Sequence, residues 1–163
     1  MERLWAPWRR AYVTGERPVG GCIFCAAPEQ ADEAASLVLA RGENCFAILN
    51  AFPYNNGHLM VVPYGHTGEL AALAPATLAE MMAAAARWTT VMAAVMGAEG
   101  FNVGFNLGAA AGAGLAEHVH LHVVPRWHGD TNLMPVVGGV KVLPEALETT
   151  RDRLRAAWRE GQA

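Results

Sequence analysis

No stretch of this chain is apolar for long enough to span a bilayer. Hydrophobic residues make up 53% of it, but the long apolar stretches are alanine-rich and broken by charges, so no membrane-spanning helix is expected. Met1-Glu2-Arg3-Leu4-Trp5 lacks the apolar core of a secretion signal. Cysteine is scarce: three in 163 residues do not suggest a disulfide framework, and a reducing cytoplasm is the expected compartment. Positive charge is not in excess either. A formal net charge of −3 argues against bulk binding to a nucleic-acid backbone. Arginines do gather at the two ends (Arg3, Arg9, Arg10, Arg17; Arg151, Arg153, Arg155, Arg159). The ordinary reading there is solvated arms and a mixed-charge helix that also carries Glu145, Glu148 and Asp152. There are no repeats, no low-complexity tail and no second core, so one domain is expected, long enough for a full core.

Residues 1–20 read as an arm without clear periodicity, pinned to the body by Trp5 and Trp8 on either side of Pro7. Gly20-Gly21 leads into Cys22-Ile23-Phe24-Cys25, and 26–35 is a polar, alanine-rich connection. Leu37–Arg41 and Asn44–Asn50 alternate as two strands around a Gly42-Glu43 hairpin turn. Pro53-Tyr54-Asn55-Asn56-Gly57 is a loop by composition. His58–Val62 is a third strand stopped by Pro63, and Thr67–Leu73 a short helix. Between Pro75 and Gly97, Leu78, Met81, Met82, Ala85, Trp88, Val91, Met92 and Val95 recur with helical period. Pro75 suits the first turn and Gly97 the stop. Met81, Met82, Met92 and Met96 are expected to fill the core. Phe101–Leu107 is a fourth strand, Gly108–Gly114 a Gly/Ala loop, Asn132–Val137 a short edge, and Glu145 to Arg159 a closing helix behind Pro144. Neighbouring strands with few helical crossovers predict an α+β fold with a mostly antiparallel sheet.

The chemistry concentrates in His118-Val119-His120-Leu121-His122-Val123-Val124-Pro125-Arg126. Alternation makes this a strand, so the three imidazoles share one face, their α-carbons roughly 7 Å apart. Val119, Leu121 and Val123 pack behind them. An open strand face ordinarily carries Thr, Lys or Ser; three groups that titrate near neutral pH point to a reaction centre. Three satisfied structural histidines are one alternative. A catalytic zinc is another, since His-x-His can present two ligands to a metal, although it wants an acidic partner and Glu117 lies on the opposite face. The third is nucleophilic catalysis at phosphorus: a neutral imidazole attacks while a protonated neighbour neutralises phosphate oxygens. Cys22-x-x-Cys25 is by itself a redox pair, a metal half-site or a coincidence, and no βαβ pattern supports a thioredoxin-like use. Cys45, mid-strand beside Phe46, reads as a core thiol.

His-Val-His-Leu-His-Val-Val-Pro-Arg resembles the signature of the histidine triad (HIT) superfamily of nucleotidyl hydrolases and transferases. Asn50, Gly57-His58-Leu59-Met60-Val61-Val62-Pro63 and Phe105-Asn106-Leu107-Gly108 follow in the family's order, from about Trp5 to Asp130. The arm Leu4-Trp5-Ala6-Pro7-Trp8-Arg9 and the run Pro125-Arg126-Trp127-His128-Gly129-Asp130 are most similar to the bacterial branch with diadenosine tetraphosphate phosphorylases and related hydrolases.

The resemblance implies a HIT fold: a five-stranded, mostly antiparallel sheet with a long and a short helix. It would form one domain over 1–163, with an arm over 1–21, a core over 22–130 and an extension with a helix over 131–163. His120 would attack the α-phosphorus and carry a covalent nucleotidyl group. His122 and His58 would hold the non-bridging oxygens, and His118 would orient the site. Asn50 would contact ribose and Asn106 the phosphate or leaving group. Amides of the loop, at Gly108, Gly112 and Gly114, would cradle phosphate, unless the loop is a plain flexible turn. Arg126 and His128 are candidates beside the leaving group, although His128 also reads as a surface residue. Trp127 either stacks on a base or covers the end of the sheet. Cys22, Cys25, His66 and His118 would hold a structural zinc, tying the arm to the catalytic strand. No organic cofactor is implied, though a divalent ion can accompany a polyphosphate. A homodimer joined edge to edge with help from the long helix is implied too.

One position departs from the family. Leu115 stands where several members have a Ser or Thr that assists the leaving group, which weakens a preference for phosphoramidates. A nucleoside phosphoramidate hydrolase and a non-catalytic nucleotide-binding module remain the alternatives to a dinucleoside polyphosphate enzyme.

Overall fold

Strict apolar alternation gives this chain a sheet with two usable faces, and one long helix covers only one of them. The computed structural model describes residues 21–32, 35–130 and 142–161; the expected N-terminal arm and the edge at Asn132–Val137 lie outside them. A short helix α1 (Ile23–Ala26) and one 3-10 turn (Ala27–Glu29) precede strands β1 (Val38–Arg41), β2 (Cys45–Leu49) and β3 (Leu59–Pro63). Helix α2 (Pro75–Met96), strands β4 (Gly100–Phe105) and β5 (Leu121–Arg126) and helix α3 (Leu147–Glu160) follow. The five strands lie in the order β1-β2-β3-β5-β4, each pair antiparallel. This is the expected α+β architecture. No helix among the described residues is long and apolar enough to cross a membrane.

The odd-numbered face packs on the helices. Ala47, Leu49, Leu59, Val61, Leu121 and Val123 form one core with Met81, Ala85, Trp88 and Met92 of α2 and Leu154 of α3. α2 begins at Pro75 and stops at Gly97, whose φ of 64° is the left-handed conformation that glycine adopts without strain. A side chain of α2, Glu80, also fixes the β1–β2 turn: its carboxylate accepts from the backbone N–H groups of Glu43 (2.8 Å) and Asn44 (2.9 Å). Cys45 is buried beside it, and loss of solvent pushes its thiol up to about 12. It is an inert core thiol, as expected.

The even-numbered face carries the histidine of β5, His122. Phe46, Met60 and Val62 make a second apolar cluster with Val38, Phe24 of α1 and Ala27. Beyond it stand the histidines. In register, His122 has Met60 on its β3 side and Gly104 on its β4 side.

Several expectations need correction. The histidine strand starts its ladder only at Leu121, so His118, at a bend, and His120 precede it in an irregular segment held by Val119 N–H donating to Thr67 O (2.7 Å). The Thr67–Leu73 helix is one 3-10 turn over Leu70–Ala72. Met82 is 52% exposed, whereas Met81 and Met92 are fully buried; helical period alone does not tell a core flank from an outer one. The C-terminal arginines are not all solvated. Arg151 is buried, and Arg155 donates to the carbonyls of Val38 (2.8 Å) and Ser36 (3.1 Å), clamping α3 to β1. Trp158 stacks on Trp88 at 4.2 Å, with the Arg87 guanidinium 3.7 Å above it.

Candidate active site

The three triad histidines stand with His58 in one buried row, and backbone carbonyls and amides decide where each ring keeps its proton. His120 Nδ1–H donates to the carbonyl of His118 at 2.8 Å. Its Nε2 therefore carries the lone pair. His58 accepts at Nδ1 from the backbone N–H of Tyr54 (3.0 Å), so its proton sits on Nε2 and is donated to His122 Nδ1 at 2.9 Å. That leaves His122 with an N–H at Nε2, and the Asn106 Nδ2, a second donor, lies 3.4 Å from it. One ring thus offers an unprotonated nitrogen while its neighbour, 4.8 Å away between centroids, offers a donor. Such a pair can attack a phosphorus and hold its oxygen.

Gly57 lets His58 reach this row. Its φ is +76°, and a Cβ there would lie 2.8 Å from the Met96 side chain, so only glycine suits the turn. Tyr54 stacks on His58 at 4.6 Å, and Phe24 packs against His120 at 5.0 Å. These rings cover the histidine face. All of His58, His118, His120 and His122 are buried, not set on an open strand face.

Loss of solvent lowers the pKa of His118, His120 and His122. For His120 the carbonyl of His118 opposes the shift. For His122 burial comes first and the charge of His120 second, and its pKa falls to about 4. The expected protonated neighbour is therefore not the resting state of His122. It acts as a neutral donor, with its direction fixed by His58.

His118 faces the other way. Its Nε2–H donates to the Pro63 carbonyl at 2.9 Å, which leaves Nδ1 as the free lone pair. That Nδ1 lies 3.2 Å from Cys22 Sγ, 3.7 Å from Cys25 Sγ and 3.2 Å from His66 Nδ1, and Cys25 Sγ lies 3.5 Å from His66 Nδ1. Four ligands tetrahedral about zinc, at the usual Zn–S and Zn–N lengths, stand roughly 3.3–3.8 Å apart. The donor set fits, and it is the set Cys22, Cys25, His66, His118.

The remaining candidates are placed unevenly. Asn50 lies beside His58, its Nδ2 3.4 Å from Nδ1 and its Oδ1 accepting from Phe52 N–H (2.9 Å). In the Gly108–Gly114 loop, Ala111, Gly112 and Ala113 already donate to carbonyls within the loop, so the Gly112 amide is spent in this conformation. Gly108 and Gly114 are exposed. Leu115 packs on the Phe24 cluster. Trp127 donates its indole N–H to the Met96 carbonyl at 3.2 Å, at the end of α2. His128 is exposed and ion-paired with Glu99, as a surface residue. Arg126 is on the triad's face of β5, bound to Asp130 and Asn102. Tyr54 and Phe24 were not singled out from the sequence; an aromatic in a polar loop just before Gly-His and one between two cysteines were the available signals.

The chain belongs to the HIT domain family, whose domain matches residues 31–129. AP-4-A phosphorylase of Mycobacterium tuberculosis is 45% identical over 167 residues, covering 97% of this chain and 85% of the relative. A zinc-bound histidine triad family protein from Mycobacterium smegmatis, known from its crystal structure, is 32% identical with a TM-score of 0.70, covering 87% of this chain and 96% of that one. A hypothetical histidine triad nucleotide-binding protein from Sulfolobus tokodaii shares the fold, with a TM-score of 0.69 at 24% identity over 85% of this chain and 93% of that one.

The depressed His122 pKa has a consequence for stability. The unfolded chain binds this proton near the ordinary 6.5 and the folded chain only near 4. Where the unfolded state holds more protons, stability rises with pH. The contribution is therefore intact above about 6.5 and lost as pH falls towards about 4. Thermal melts of the wild type and of His122→Gln across this window should show a shallower acid loss in the variant. Parallel curves would contradict the burial account.

Proposed function

We propose that this protein cleaves dinucleoside polyphosphates such as diadenosine tetraphosphate by nucleotidyl transfer through His120. The observation that carries this is the hydrogen bond from His120 Nδ1–H to the His118 carbonyl at 2.8 Å, which leaves Nε2 free to attack. Nε2 forms a bond to the α-phosphorus, and the bond from phosphorus to the bridging oxygen breaks. Burial keeps the attacking ring neutral. His122 Nε2–H, steered by His58, takes a non-bridging oxygen, and Asn106 stands beside it. The acceptor then enters where the leaving group departed, its oxygen bonds to phosphorus, and the P–N bond breaks.

Phosphate as acceptor is favoured over water by the 45% identity to a phosphorylase that runs through 97% of the chain. Apolar residues on the β2 side, Phe24, Phe46 and the half-buried Ile48, suit a nucleobase, and Asn50 next to His58 suits its ribose. Trp127 is a further candidate for base contact. Cys22, Cys25, His66 and His118 would hold a structural zinc whose chemistry is to tie α1 to the segment bearing His120. A reducing cytoplasm would keep those thiols available. β4 forms a sheet edge among the described residues, with Val103 exposed, which supports a homodimer; a monomeric mass by light scattering would remove that part.

Diadenosine tetraphosphate incubated with and without inorganic phosphate decides the acceptor. ADP and ATP appearing only with phosphate are the expected products, and His120→Ala should abolish them while nucleotide binding persists. AMP and ATP formed at an unchanged rate without phosphate would make the protein a hydrolase. Turnover by the Ala variant near the wild-type rate would overturn the mechanism.

Zinc is read through the thiols. Chelation should make Cys22 and Cys25 react rapidly with an alkylating reagent and lower the melting temperature, with Cys45 silent in the folded protein. Equal thiol reactivity before and after chelation, with no zinc by elemental analysis, would sink the assignment.

A further inference from the structure

Past His122 the same face of β5 continues through Val124 to Arg126, and the steps above use neither. Val124 pairs with Asn102 of β4 and Arg126 with Gly100. A cavity of about 240 Å³ opens here, lined by Tyr54, Asn55, Asn102, Val124 and Arg126. Arg126 is clamped in it. Its Nε and Nη2 donate to the two Asp130 carboxylate oxygens at 2.6 and 2.9 Å, and Nη1 donates to Asn102 Oδ1 at 2.8 Å. Asp130 is braced in turn by the Asn55 amide (2.9 Å) and by Trp127 N–H (3.2 Å). Asn55 is itself buried and tied to the Pro125 carbonyl.

Two features make this more than a surface ion pair. The Arg126 side chain is 45% exposed and that of Asp130 only 9%, so the pair presents its cation outward and hides its carboxylate. A guanidinium has five N–H groups. Three are spent on Asp130 and Asn102, which leaves one on each terminal nitrogen for an incoming anion, with the plane already fixed.

Position selects the anion. Arg126 stands four residues beyond His122 along the strand, roughly 13 Å between α-carbons, and further still from His120. The phosphorus bonded to His120 is held by His122, which His58 steers, so it is not the group that Arg126 meets. The apolar cluster of Phe24, Phe46 and Ile48 lies across β2 and β3, on the other flank of the histidine row. The row thus separates an apolar flank from a polar one, and the polar flank ends in this fixed cation.

We propose that Arg126, positioned by Asp130 and Asn102, recognises the distal phosphates of the leaving nucleotide and so selects substrates with a polyphosphate bridge. This rests on the nucleotidyl-transfer reading above and assigns its leaving-group side. Asp130 is a positioning residue: it would touch Arg126 and not the substrate.

Binding measured by calorimetry on the full chain carrying His120→Ala separates the two claims. The probes are AMP, which ends at the α-phosphate, and diadenosine tetraphosphate. Adding Arg126→Gln should raise the ratio of the tetraphosphate Kd to the AMP Kd about tenfold, the scale of one charge-assisted contact. Arg126→Lys should recover part of that ratio, and Asp130→Asn should move it in the same direction by less. An unchanged ratio in Arg126→Gln, or equal weakening of both ligands, would overturn the proposal while leaving the reaction in place. A His120→Ala parent that binds the tetraphosphate no more tightly than AMP would overturn both.

Discussion

His118 commits both ring nitrogens and its carbonyl to the site, and the arrangement around it depends on how it is held. Its Nε2–H is committed to the Pro63 carbonyl, which turns Nδ1 towards two cysteines and His66. Its own carbonyl takes the Nδ1 proton of His120 and so leaves the lone pair on His120 Nε2. Rotating this one ring or its peptide would disturb the candidate metal ligands and the nucleophile's tautomer together. The Cys22–Cys25 segment is therefore joined to the His120 segment through a single residue, and α1 brings Phe24 against His120 at the same stroke. Second partners of this kind set the orientation of a reactive imidazole.

Burial does the remaining electrostatic work. An imidazole at an open site would be partly protonated near neutral pH and blunted as a nucleophile. Covered by Phe24 and Tyr54, His120 and His122 stay neutral, and the backbone N–H of Tyr54 sets a chain of donors running through His58 to His122. The sheet supplies the spacing. Gly104 opposite His122 leaves the β4 side of the ring without a side chain, and this is the side on which Asn106 and the Arg126 pocket lie.

Much of this was legible in the sequence, for identifiable reasons. Period-two alternation announced β2, β3 and the histidine row, and period 3.6 between a Pro and a Gly announced α2. The family signature in the sequence points to the triad, His58 and the Cys₂His₂ set that the fold brings together. Other features depend on tertiary context. That His118 and His120 precede the β5 ladder follows from where β3 and β4 end, not from their own residue types. Arg155 looked solvent-bound because nothing in its neighbours reveals that it will meet the free carbonyls of β1. Met82 and Met81 are indistinguishable by composition, yet one faces out. The loop glycines suggested a phosphate cradle, but the 3-10 turn there takes up the amide of Gly112 along with those of Ala111 and Ala113. Arg126 was a candidate by type alone; its fixed plane comes from Asp130, four residues on, and from Asn102 on another strand.

The central claim is that His120 Nε2 becomes covalently bonded to phosphorus. Rapid mixing with diadenosine tetraphosphate without phosphate, followed by quenching under alkaline conditions that preserve a phosphorus–nitrogen bond and by peptide mass analysis, tests it directly. An adenylyl adduct on the peptide containing His120, discharged to ADP when phosphate is added before the quench, is the predicted result. Turnover with no adduct at His120 at any time, or an adduct on a different residue, would contradict the account.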